Sequence, residues 1–325
     1  MVHIGNIDLG EFPLLLAPME DISDPPFRQI CREFGADMVY SEFISSEGLI
    51  RNAEKSVSKL DILSGERPVA IQIFGHNIES MKQATTMVSE AGPDIIDINC
   101  GCPVKKVVNK GAGAALLKDI PALVKMAAEV VKMSNVPVTV KTRLGWDDQS
   151  IEIVRLAEML QDVGVQALAI HARTAKQLYK GDANWEWLNK VKENPRLNIP
   201  IFGNGDITHP LKAMEYRTKY QVDGMMIGRG AVGNPWIFSE IKNYFEKRTL
   251  LQSPSIAEKA EVCRRHLLTS IEWKGEIVAI HEMRKHYSQY FKAIPSFKNY
   301  RMQLVEEKNI EKLLSILDEI CGLSV

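Results

Sequence analysis

The sequence has too few cysteines, too widely spaced, for a disulfide framework. The five cysteines of this 325-residue chain are Cys31, Cys100, Cys102, Cys263 and Cys321. An odd number of scattered thiols is typical of a reducing compartment, so we expect free thiols and a cytoplasmic location. Cys100 and Cys102 are close in sequence, but no second Cys/His cluster has the spacing of zinc ligands, so we expect no metal site.

The sequence also lacks a long apolar run and a surplus of charge of either sign. No run approaches the ~20 apolar residues of a membrane helix. Residues 1–6 carry no basic stretch, so we expect neither a membrane span nor a signal peptide. Lys and Arg number 40 against 41 Asp and Glu, a formal net charge of -1. Any surface that binds nucleic acid must therefore be a local patch.

What the sequence does contain is an alternation of two kinds of segment. Apolar, β-branched runs predict strands at residues 14–17, 38–43, 69–74, 95–99, 136–141, 167–171, 199–203 and 224–227. Helical periodicity predicts helices at residues 25–34, 78–91, 121–133, 150–163 and 210–220. Alternating strands and helices imply parallel pairing with right-handed crossovers. Eight such units in about 230 residues predict an α/β fold of the TIM (β/α)8 barrel type.

The pattern changes after Pro235-Trp236, where strand-like runs end. We predict three further helices, at about residues 255–273, 276–293 and 297–323, with breaks at Pro254 and Pro295. The chain is thus interpreted as a catalytic barrel, residues 1–240, followed by a small all-helical domain, residues 241–325.

Within the predicted helical domain, residues 283–305 contain no Asp or Glu. The basic residues of this acid-free segment are Arg284, Lys285, Lys292, Lys298 and Arg301, and His286, Tyr287, Tyr290, Phe291, Phe297 and Tyr300 lie between them. Lysine and arginine can follow phosphates while aromatic rings stack on unpaired bases, so the segment is a candidate RNA-binding surface. The alternative is that the aromatic residues form helix core and the basic residues a solvated face.

Polar and glycine residues lie at the carboxyl ends of the predicted strands, where TIM barrels carry their active sites. These residues are Pro18 and Met19, Gln72, Asn99 with Cys102 beyond it, Lys141 and Arg143, His171 and Arg173, Asn204-Gly205-Asp206, and Gly228-Arg229-Gly230. Glycine loops after strands 7 and 8 often bind phosphate through backbone N–H groups, and Arg229 can add a charged contact.

Three of the strand-end residues suit a flat, polar ring. Gln72 offers a donor and an acceptor in one plane, and Lys141 can place a cation beside a ring that gains negative charge, as reduced flavin does. With His171 and the phosphate loops, they indicate an FMN site. The alternatives are that Gln72 is a hydrogen-bonded core residue, that Lys141 forms a Schiff base in an aldolase, and that His171 is structural.

At these residues the sequence resembles the tRNA-dihydrouridine synthases, most closely their bacterial B-type branch. The stretches that carry the resemblance are Ala17-Pro18-Met19, Gln72-Ile73-Phe74-Gly75, Asp97-Ile98-Asn99-Cys100-Gly101-Cys102-Pro103, Val140-Lys141-Thr142-Arg143, Ile170-His171-Ala172-Arg173-Thr174, Asn204-Gly205-Asp206, Ile227-Gly228-Arg229-Gly230 and Arg284-Lys285-His286. They occur in order over nearly the whole chain. The cysteine motif is highly specific, whereas the glycine loops are not.

The resemblance implies FMN as cofactor, NADPH or NADH as reductant and a D-loop uridine of tRNA, near the elbow, as substrate. It assigns FMN binding to Pro18, Met19, Gln72, Lys141, His171, Asn204, Gly205, Asp206, Gly228 and Arg229. It implies Cys102 as the general acid, and Asn99, Arg143 and Arg173 on the substrate side. It places Arg284, Lys285 and His286 against the RNA, and it implies no obligate protein partner.

The chain departs from the family pattern at two positions. Glu20 stands where a small residue usually follows Pro-Met, and a carboxylate beside reduced flavin is unfavourable unless it points away or pairs with a base. Cys100 stands where methionine is frequent, which adds a second thiol. Two other functions stay open: a small-molecule flavin oxidoreductase of the dihydroorotate dehydrogenase type, and an RNA-binding protein without turnover.

Overall fold

Parallel strands form a closed sheet in the computed structural model, which describes residues 1–292, 294 and 297–323. The strands are β1 Leu14–Leu16, β2 Val39–Tyr40, β3 Val69–Phe74, β4 Ile95–Cys100, β5 Val138–Arg143, β6 Ala167–His171, β7 Ile201–Asn204 and β8 Gly224–Ile227. Each pairs with the next in sequence from β2 to β8, and β8 pairs with β1. A parallel bridge between Leu15 and Met38 closes the sheet. The predicted TIM barrel is therefore confirmed.

Helices follow the strands around the outside of this barrel. They are α1 Pro25–Glu33, α2 Ser46–Leu49, α3 Glu54–Val57, α4 Ile78–Glu90, α5 Lys105–Val108, α6 Ile120–Met133, α7 Ile153–Asp162, α8 Glu186–Lys192 and α9 Pro210–Tyr220, with 3-10 turns at Ser58–Leu60, Gly113–Lys118 and Arg229–Ala231. Pro at the first turn of α1, α6 and α9 suits helix starts, because proline sacrifices an N–H that would have no partner there.

The structure differs from the sequence prediction in several short elements. Of the predicted strand 38–43, only Val39–Tyr40 (β2) is a strand, and a separate strand, Ile44–Ser45, begins just beyond the predicted range and also pairs with β3. An N-terminal hairpin, His3–Ile4 with Ile7–Asp8, was not predicted. Two-residue strands lack the length over which alternation can be recognised. The seven-residue helix α8 was missed for the same reason, because it spans only two turns.

The inward-facing positions of the barrel strands form an apolar layer below a polar one. Ile4 and Leu9 of the N-terminal segment share a buried cluster with inward residues such as Leu15, Phe202 and Met226. Since strand side chains alternate between faces, the next inward positions towards the carboxyl ends are polar. They are Gln72, Asp97, Asn99, Thr139, Lys141, His171 and Asn204. The floor of the candidate site is therefore polar and rests on an apolar plug.

The helical tail consists of α10 Ile237–Lys247, α11 Ile256–Lys274, α12 Glu276–Tyr290, α13 Lys298–Glu306 and α14 Ile310–Cys321. The single helix predicted for residues 297–323 is wrong: it is two helices, and α14 restarts where the Asn309 side chain accepts from the Lys312 N–H at 3.0 Å. The helix predicted for residues 276–293 ends at Tyr290, and residue 293 lies outside the described residues.

A second hydrophobic core holds the tail together. It contains Cys263, Tyr287, Leu304 and Leu317, and it includes Ile30 of α1, so this barrel helix forms part of both units. The predicted domain division at residue 240 stays a prediction, and it lies within α10. No helix in the described part of the chain combines the length and hydropathy that crossing a bilayer requires.

Candidate active site

The Cys102 loop lies at the carboxyl end of β4, over the polar floor of the barrel. The Asn99 side-chain oxygen accepts from the backbone N–H groups of Gly101 (3.1 Å) and Cys102 (2.9 Å). The Ala114 N–H donates to the Cys102 carbonyl at 3.0 Å. Gly113 has φ +59°, and a Cβ there would lie 2.8 Å from that carbonyl, so glycine lets the next loop close on Cys102.

The two neighbouring cysteines have different environments. Cys100 is buried among the apolar residues outside the barrel sheet, whereas Cys102 is partly exposed at the mouth. Burial raises the pKa of both thiols, and for Cys102 the Val104 N–H, Arg143 and Lys141 oppose this shift. Cys102 is therefore the accessible thiol, and it stays protonated at neutral pH.

Gln72 lies in a hydrogen-bonded row across β3 and β4. Its carboxamide nitrogen donates to Asp97 at 2.6 Å, and its oxygen accepts from the Asn99 Nδ2 at 2.9 Å. Gln72 is fully buried, as the core alternative required. Each of its two polar atoms nevertheless keeps one free hydrogen-bonding position, because an amide NH2 has two hydrogens and its oxygen has two lone pairs. Both interpretations of Gln72 are compatible with this geometry.

Lys141 brings a cation to the same floor, directly opposite Asn99 in the β4–β5 register. Its ammonium donates to the Asn204 Oδ1 at 3.3 Å, the one hydrogen bond it makes to the described residues. Burial, reinforced by Arg143, lowers the pKa of Lys141 to about 8, although Asp97 opposes the shift. Lys141 thus keeps two N–H donors for a bound group.

Arg143 is used by the protein itself. It is 2% exposed, and its guanidinium donates to the carbonyls of Gly101 (2.8 Å), Thr174 (2.9 Å) and Leu178 (2.8 Å). These bonds join the Cys102 loop to the loop after β6. The predicted substrate-side residue therefore holds two loops with its Nε and Nη1 hydrogens, whereas its Nη2 makes no hydrogen bond to the described residues.

His171 is the last residue of β6 and Arg173 lies two residues beyond it, where its guanidinium is bound by protein groups. Its guanidinium is 2% exposed and donates to both carboxylate oxygens of Asp206, at 2.9 and 2.7 Å. It also lies 3.3 Å from the His171 Nε2. Burial and the surrounding arginines and Lys141 lower the pKa of His171 far below its ordinary value, so this imidazole is neutral. A neutral ring that accepts at Nε2 carries its proton on Nδ1.

The predicted phosphate loops follow β7 and β8. Asp206 has φ +59° and also accepts from the Ala183 N–H at 2.8 Å, so its carboxylate shapes the loop through protein contacts. Gly205 has φ +124°, and a Cβ there would lie 2.8 Å from Ala183. Arg229 points outward, 61% exposed, after Gly228. Its guanidinium lies 3.6 Å from the Asp206 carboxylate, and because it is largely exposed it remains accessible to an anion.

The strand-end residues Pro18 and Met19 are half-buried beside this opening, and Glu20 follows them. A carboxylate at position 20 was expected to need a basic partner, and Lys59 is that partner: its ammonium donates to the Glu20 carboxylate at 2.7 Å. Lys59 also lies 3.4 Å from Glu42. The Glu20 carboxylate is thus paired with a cation that the sequence pattern does not reveal, because Lys59 lies in a 3-10 turn 39 residues further on.

Tyr179 is a site residue that sequence reasoning missed. The ring is 54% exposed in the loop after β6 and lies 6.0 Å from the His171 ring. The Arg229 guanidinium lies 4.6 Å from its centroid and that of Arg143 5.5 Å. Tyr179 is eight residues beyond the strand end, so a search restricted to strand ends does not reach it. An exposed aromatic ring between cations is placed to contact a planar ligand.

Most aromatic residues of the acid-free segment lie in the core of the tail. Tyr287, Tyr290, Phe291 and Phe297 are at most 6% exposed, so the interpretation that they stack on RNA bases is wrong. Their large apolar rings pack between the helices of the tail, which leaves almost none of their surface in contact with solvent. The basic residues differ: Lys292, Lys298 and Arg301 are exposed, and Arg284 and Lys285 are partly exposed.

His286 also lies in the interior rather than on a surface. It is 3% exposed, and its ring packs 5.5 Å from Phe27 of α1 and 4.5 Å from His266 of α11. Burial lowers the pKa of His286 well below its ordinary value. A direct RNA contact through this ring would require α12 to separate from α1. The expected placement of His286 against the RNA is therefore wrong.

We expect His286→Ala to act on stability. Loss of the ring from a packed site between α1 and α12 removes about 2 kcal/mol from the free energy of unfolding, measured in urea. The adjacent Lys285→Ala, which removes no buried ring, should change stability by no more than about 0.5 kcal/mol. Unchanged stability of the His286 variant, together with weakened RNA binding, would show that the ring does reach the RNA.

Comparison with known proteins gives a consistent result. A family model described as dihydrouridine synthase (Dus) matches residues 15–321. The chain is 37% identical over 327 residues to a probable tRNA-dihydrouridine synthase of Rickettsia prowazekii (strain Madrid E), which covers 98% of this chain and 99% of the relative. It is 39% identical over 300 residues to tRNA-dihydrouridine synthase B of Pseudomonas putida (strain KT2440), covering 92% of this chain and 88% of the relative.

Solved structures show the fold. Histamine dehydrogenase from Rhizobium sp. 4-9 superposes with a TM-score of 0.54 at 12% identity, over 81% of this chain and 50% of that one. 6-Hydroxypseudooxynicotine amine oxidase from Pseudomonas geniculata N1 gives 0.57 at 13% identity, over 80% and 52%. This chain thus spans about half the length of those structures, and the barrel is what they share with it.

Proposed function

Since the chain belongs to the dihydrouridine synthase family, we propose that it reduces a D-loop uridine of tRNA to 5,6-dihydrouridine, with FMN as cofactor and NADPH or NADH as reductant. The observation that carries the proposal is the register of β4 and β5. It places Asn99 opposite Lys141, with the Cys102 loop directly above both. A hydrogen-bonding amide, a cation and a protonated thiol are thus assembled at one mouth.

The residues of this mouth fit FMN. Lys141 has two free N–H donors at the floor, and Gln72 has one free hydrogen and one free lone pair, which suits the carbonyl and N–H groups along a flavin edge. Arg229 offers an exposed guanidinium at the end of β8, where TIM barrels bind phosphate. Asn204, Gly205, Gly228, Pro18 and Met19 line the space between. This set of donors and acceptors suits a flavin mononucleotide.

The Cys102 thiol acts as the acid in this proposal. When bound, FMN supplies the hydride that adds to uracil C6. The electron pair of the C5–C6 double bond then forms a C5–H bond with the thiol proton of Cys102, and the resulting thiolate recovers a proton from water. Burial, which raises the pKa of Cys102, keeps the proton available at neutral pH. The cations of Arg143 and Lys141 can stabilise the thiolate after transfer.

The uridine must leave the tRNA stack before this step. Its ring would lie between the floor and Cys102, with the free Nδ2 hydrogen of Asn99 directed at a uracil carbonyl and Tyr179 at the side. Arg143 and Arg173 support this pocket through the loops they hold. The proposal includes a cytoplasmic location, since that is where tRNA is modified and where the five free thiols would persist.

An absorbance spectrum tests the proposal directly. We expect the purified protein to be yellow, to bleach with NADPH in the absence of oxygen, and to regain its flavin bands when unmodified tRNA is added. Recovery with free pyrimidines but not with tRNA would favour the small-molecule flavin oxidoreductase. A protein that shows no flavin bands even after FMN is added would contradict the proposal.

The exposed basic residues of the tail predict salt-dependent RNA binding. Affinity for unmodified tRNA should fall steeply with salt, since each phosphate contact releases counterions. Lys285→Ala should weaken binding about threefold and reduce the slope of log K against log salt by about one. Lys190→Ala, an exposed lysine on α8, is the matched control. Equal effects of both substitutions would show that the tail is not the contact.

A further inference from the structure

Asp97 is a fully buried carboxylate to which the proposed chemistry gives no role. It lies on β4, at the inward position two residues before Asn99. Its Oδ2 accepts from the Gln72 Nε2 at 2.6 Å, and its Oδ1 accepts from the Thr139 hydroxyl at 2.5 Å. An ionised carboxylate can only accept, so both neighbours must present hydrogens to it.

From Asp97 a directional row of hydrogen bonds leads to Cys102. At the far end, the N–H groups of Gly101 and Cys102 donate to the Asn99 Oδ1. The Asn99 Nδ2 must then point away, and it donates to the Gln72 Oε1 at 2.9 Å. The Gln72 Nε2 must in turn face Asp97. Backbone donors fix one end of the row and a carboxylate fixes the other, so no carboxamide in it can reverse.

We propose that Asp97 is a positioning residue that fixes the carboxamides of Gln72 and Asn99 and, through them, the Cys102 loop. Hydrogen bonds that end on a charged acceptor polarise one another along a buried row, which adds to the order of the far end. The catalytic meaning of this role rests on the proposed function, in which Cys102 is the acid and Gln72 faces the cofactor. The hydrogen-bond row itself does not depend on that function.

Exchanging the acid and the amide at positions 97 and 99 tests whether Asp97 sets the direction of the hydrogen bonds or only fills space in the core. Asn99→Asp places carboxylates on both sides of Gln72, whose single NH2 group can face only one of them. Adding Asp97→Asn reverses the two bonds of the Gln72 carboxamide: Gln72 donates to the new carboxylate at position 99 and accepts from the new carboxamide at position 97. The oxygen of that carboxamide still accepts from Thr139, so each group has a partner again.

The first experiment compares the unfolding of four proteins, purified with bound cofactor, near pH 8. Asn99→Asp should lower the folding equilibrium constant about a hundredfold relative to the wild type. The double variant with Asp97→Asn should have a folding equilibrium constant at least about tenfold higher than that of Asn99→Asp alone. Asp97→Asn alone should cost less than Asn99→Asp, since the Thr139 hydroxyl can rotate to accept. A double variant no more stable than Asn99→Asp would overturn the proposal.

The second experiment measures hydrogen exchange of the Gly101 and Cys102 amides. Asp97→Ala should accelerate their exchange about tenfold more than that of the barrel-strand amides, and Asp97→Asn should return it close to the wild-type rate. Thr139→Val, which removes the other hydrogen bond to the same carboxylate, is the matched control and should leave these amides protected. Equal acceleration by Asp97→Ala and Thr139→Val would overturn the proposal. Neither experiment measures turnover, so each outcome is independent of whether dihydrouridine is formed.

Discussion

Cys102→Ala should almost abolish dihydrouridine formation while leaving the cofactor site intact. The Sγ belongs to the partly exposed cysteine of this loop, above the floor that Gln72, Asn99 and Lys141 form. A positioned general acid contributes about 10²–10⁴-fold to the rate. We expect that loss in single-turnover dihydrouridine formation from pre-reduced enzyme, with normal flavin content and normal bleaching by NADPH.

Cys100→Ala is the matched control, because it removes a thiol two residues away that faces the apolar layer outside the sheet. It should retain most of the turnover and lose only packing. Turnover close to wild type in the Cys102 variant would disprove the acid role. Equal losses in both variants would show that disturbance of the β4 loop, rather than the missing thiol, is responsible.

The pH dependence of the same step follows from the direction of the thiol shift. Because burial raises the pKa of Cys102, the protonated acid persists to higher pH than for an ordinary thiol. Single-turnover reduction should therefore hold its rate through the usual thiol range and decline only above it. A decline that begins below pH ~8.5, the ordinary value of a free thiol, would show that the site stabilises the thiolate instead.

Lys141→Met should have the second-largest effect, on the reduction potential of the bound flavin. A cation about 4 Å from the charge of the reduced ring, at an effective dielectric constant of about 20, contributes on the order of 4 kcal/mol. For a two-electron couple this corresponds to a potential about 90 mV lower in the variant. Reduction by NADPH should slow accordingly, as measured by anaerobic stopped-flow absorbance.

The charge of Lys141, and with it the expected difference in reduction potential, depends on pH. Lys141, with a pKa of about 8, is cationic below that pH and loses its charge above it. The difference in potential between wild type and Lys141→Met should therefore be full at pH 7 and shrink as the pH rises past about 8. Lys180→Met, an exposed lysine of the loop after β6, should leave the potential nearly unchanged. A Lys141 variant with the wild-type potential would remove the lysine from the flavin site.

Strand-end reasoning located the floor of the site because barrel topology converts sequence position into spatial position. Gln72, Asn99, Lys141 and Asn204 are inward-facing residues at the ends of four parallel strands, so their alternation in sequence is enough to bring them together. The same reasoning could not find Tyr179 or Lys59. Both lie in connections whose return to the mouth depends on loop conformation, and no local pattern encodes that.

Burial and hydrogen bonding distinguished side chains that residue type alone could not. Arg143 and Arg173 are cations at strand ends, but their N–H groups hold loop carbonyls and a carboxylate. His286 and Tyr287 belong to an acid-free segment that suggests RNA binding, yet they pack inside the tail. A sequence gives the charge and shape of such side chains. Whether their hydrogen bonds end on the protein or on a ligand depends on neighbours distant in the chain.

By itself, the sequence determined the barrel, the cysteine loop, the polar strand ends and the family, because each depends on local periodicity or on contiguous motifs. The tertiary structure alone decided that Lys59 pairs with Glu20 and that a buried carboxylate anchors the row leading to Cys102. Each of these features joins residues 25 or more positions apart in the chain. Hydrogen-bond direction and burial are properties of the packed chain, and they exist only once the barrel has closed.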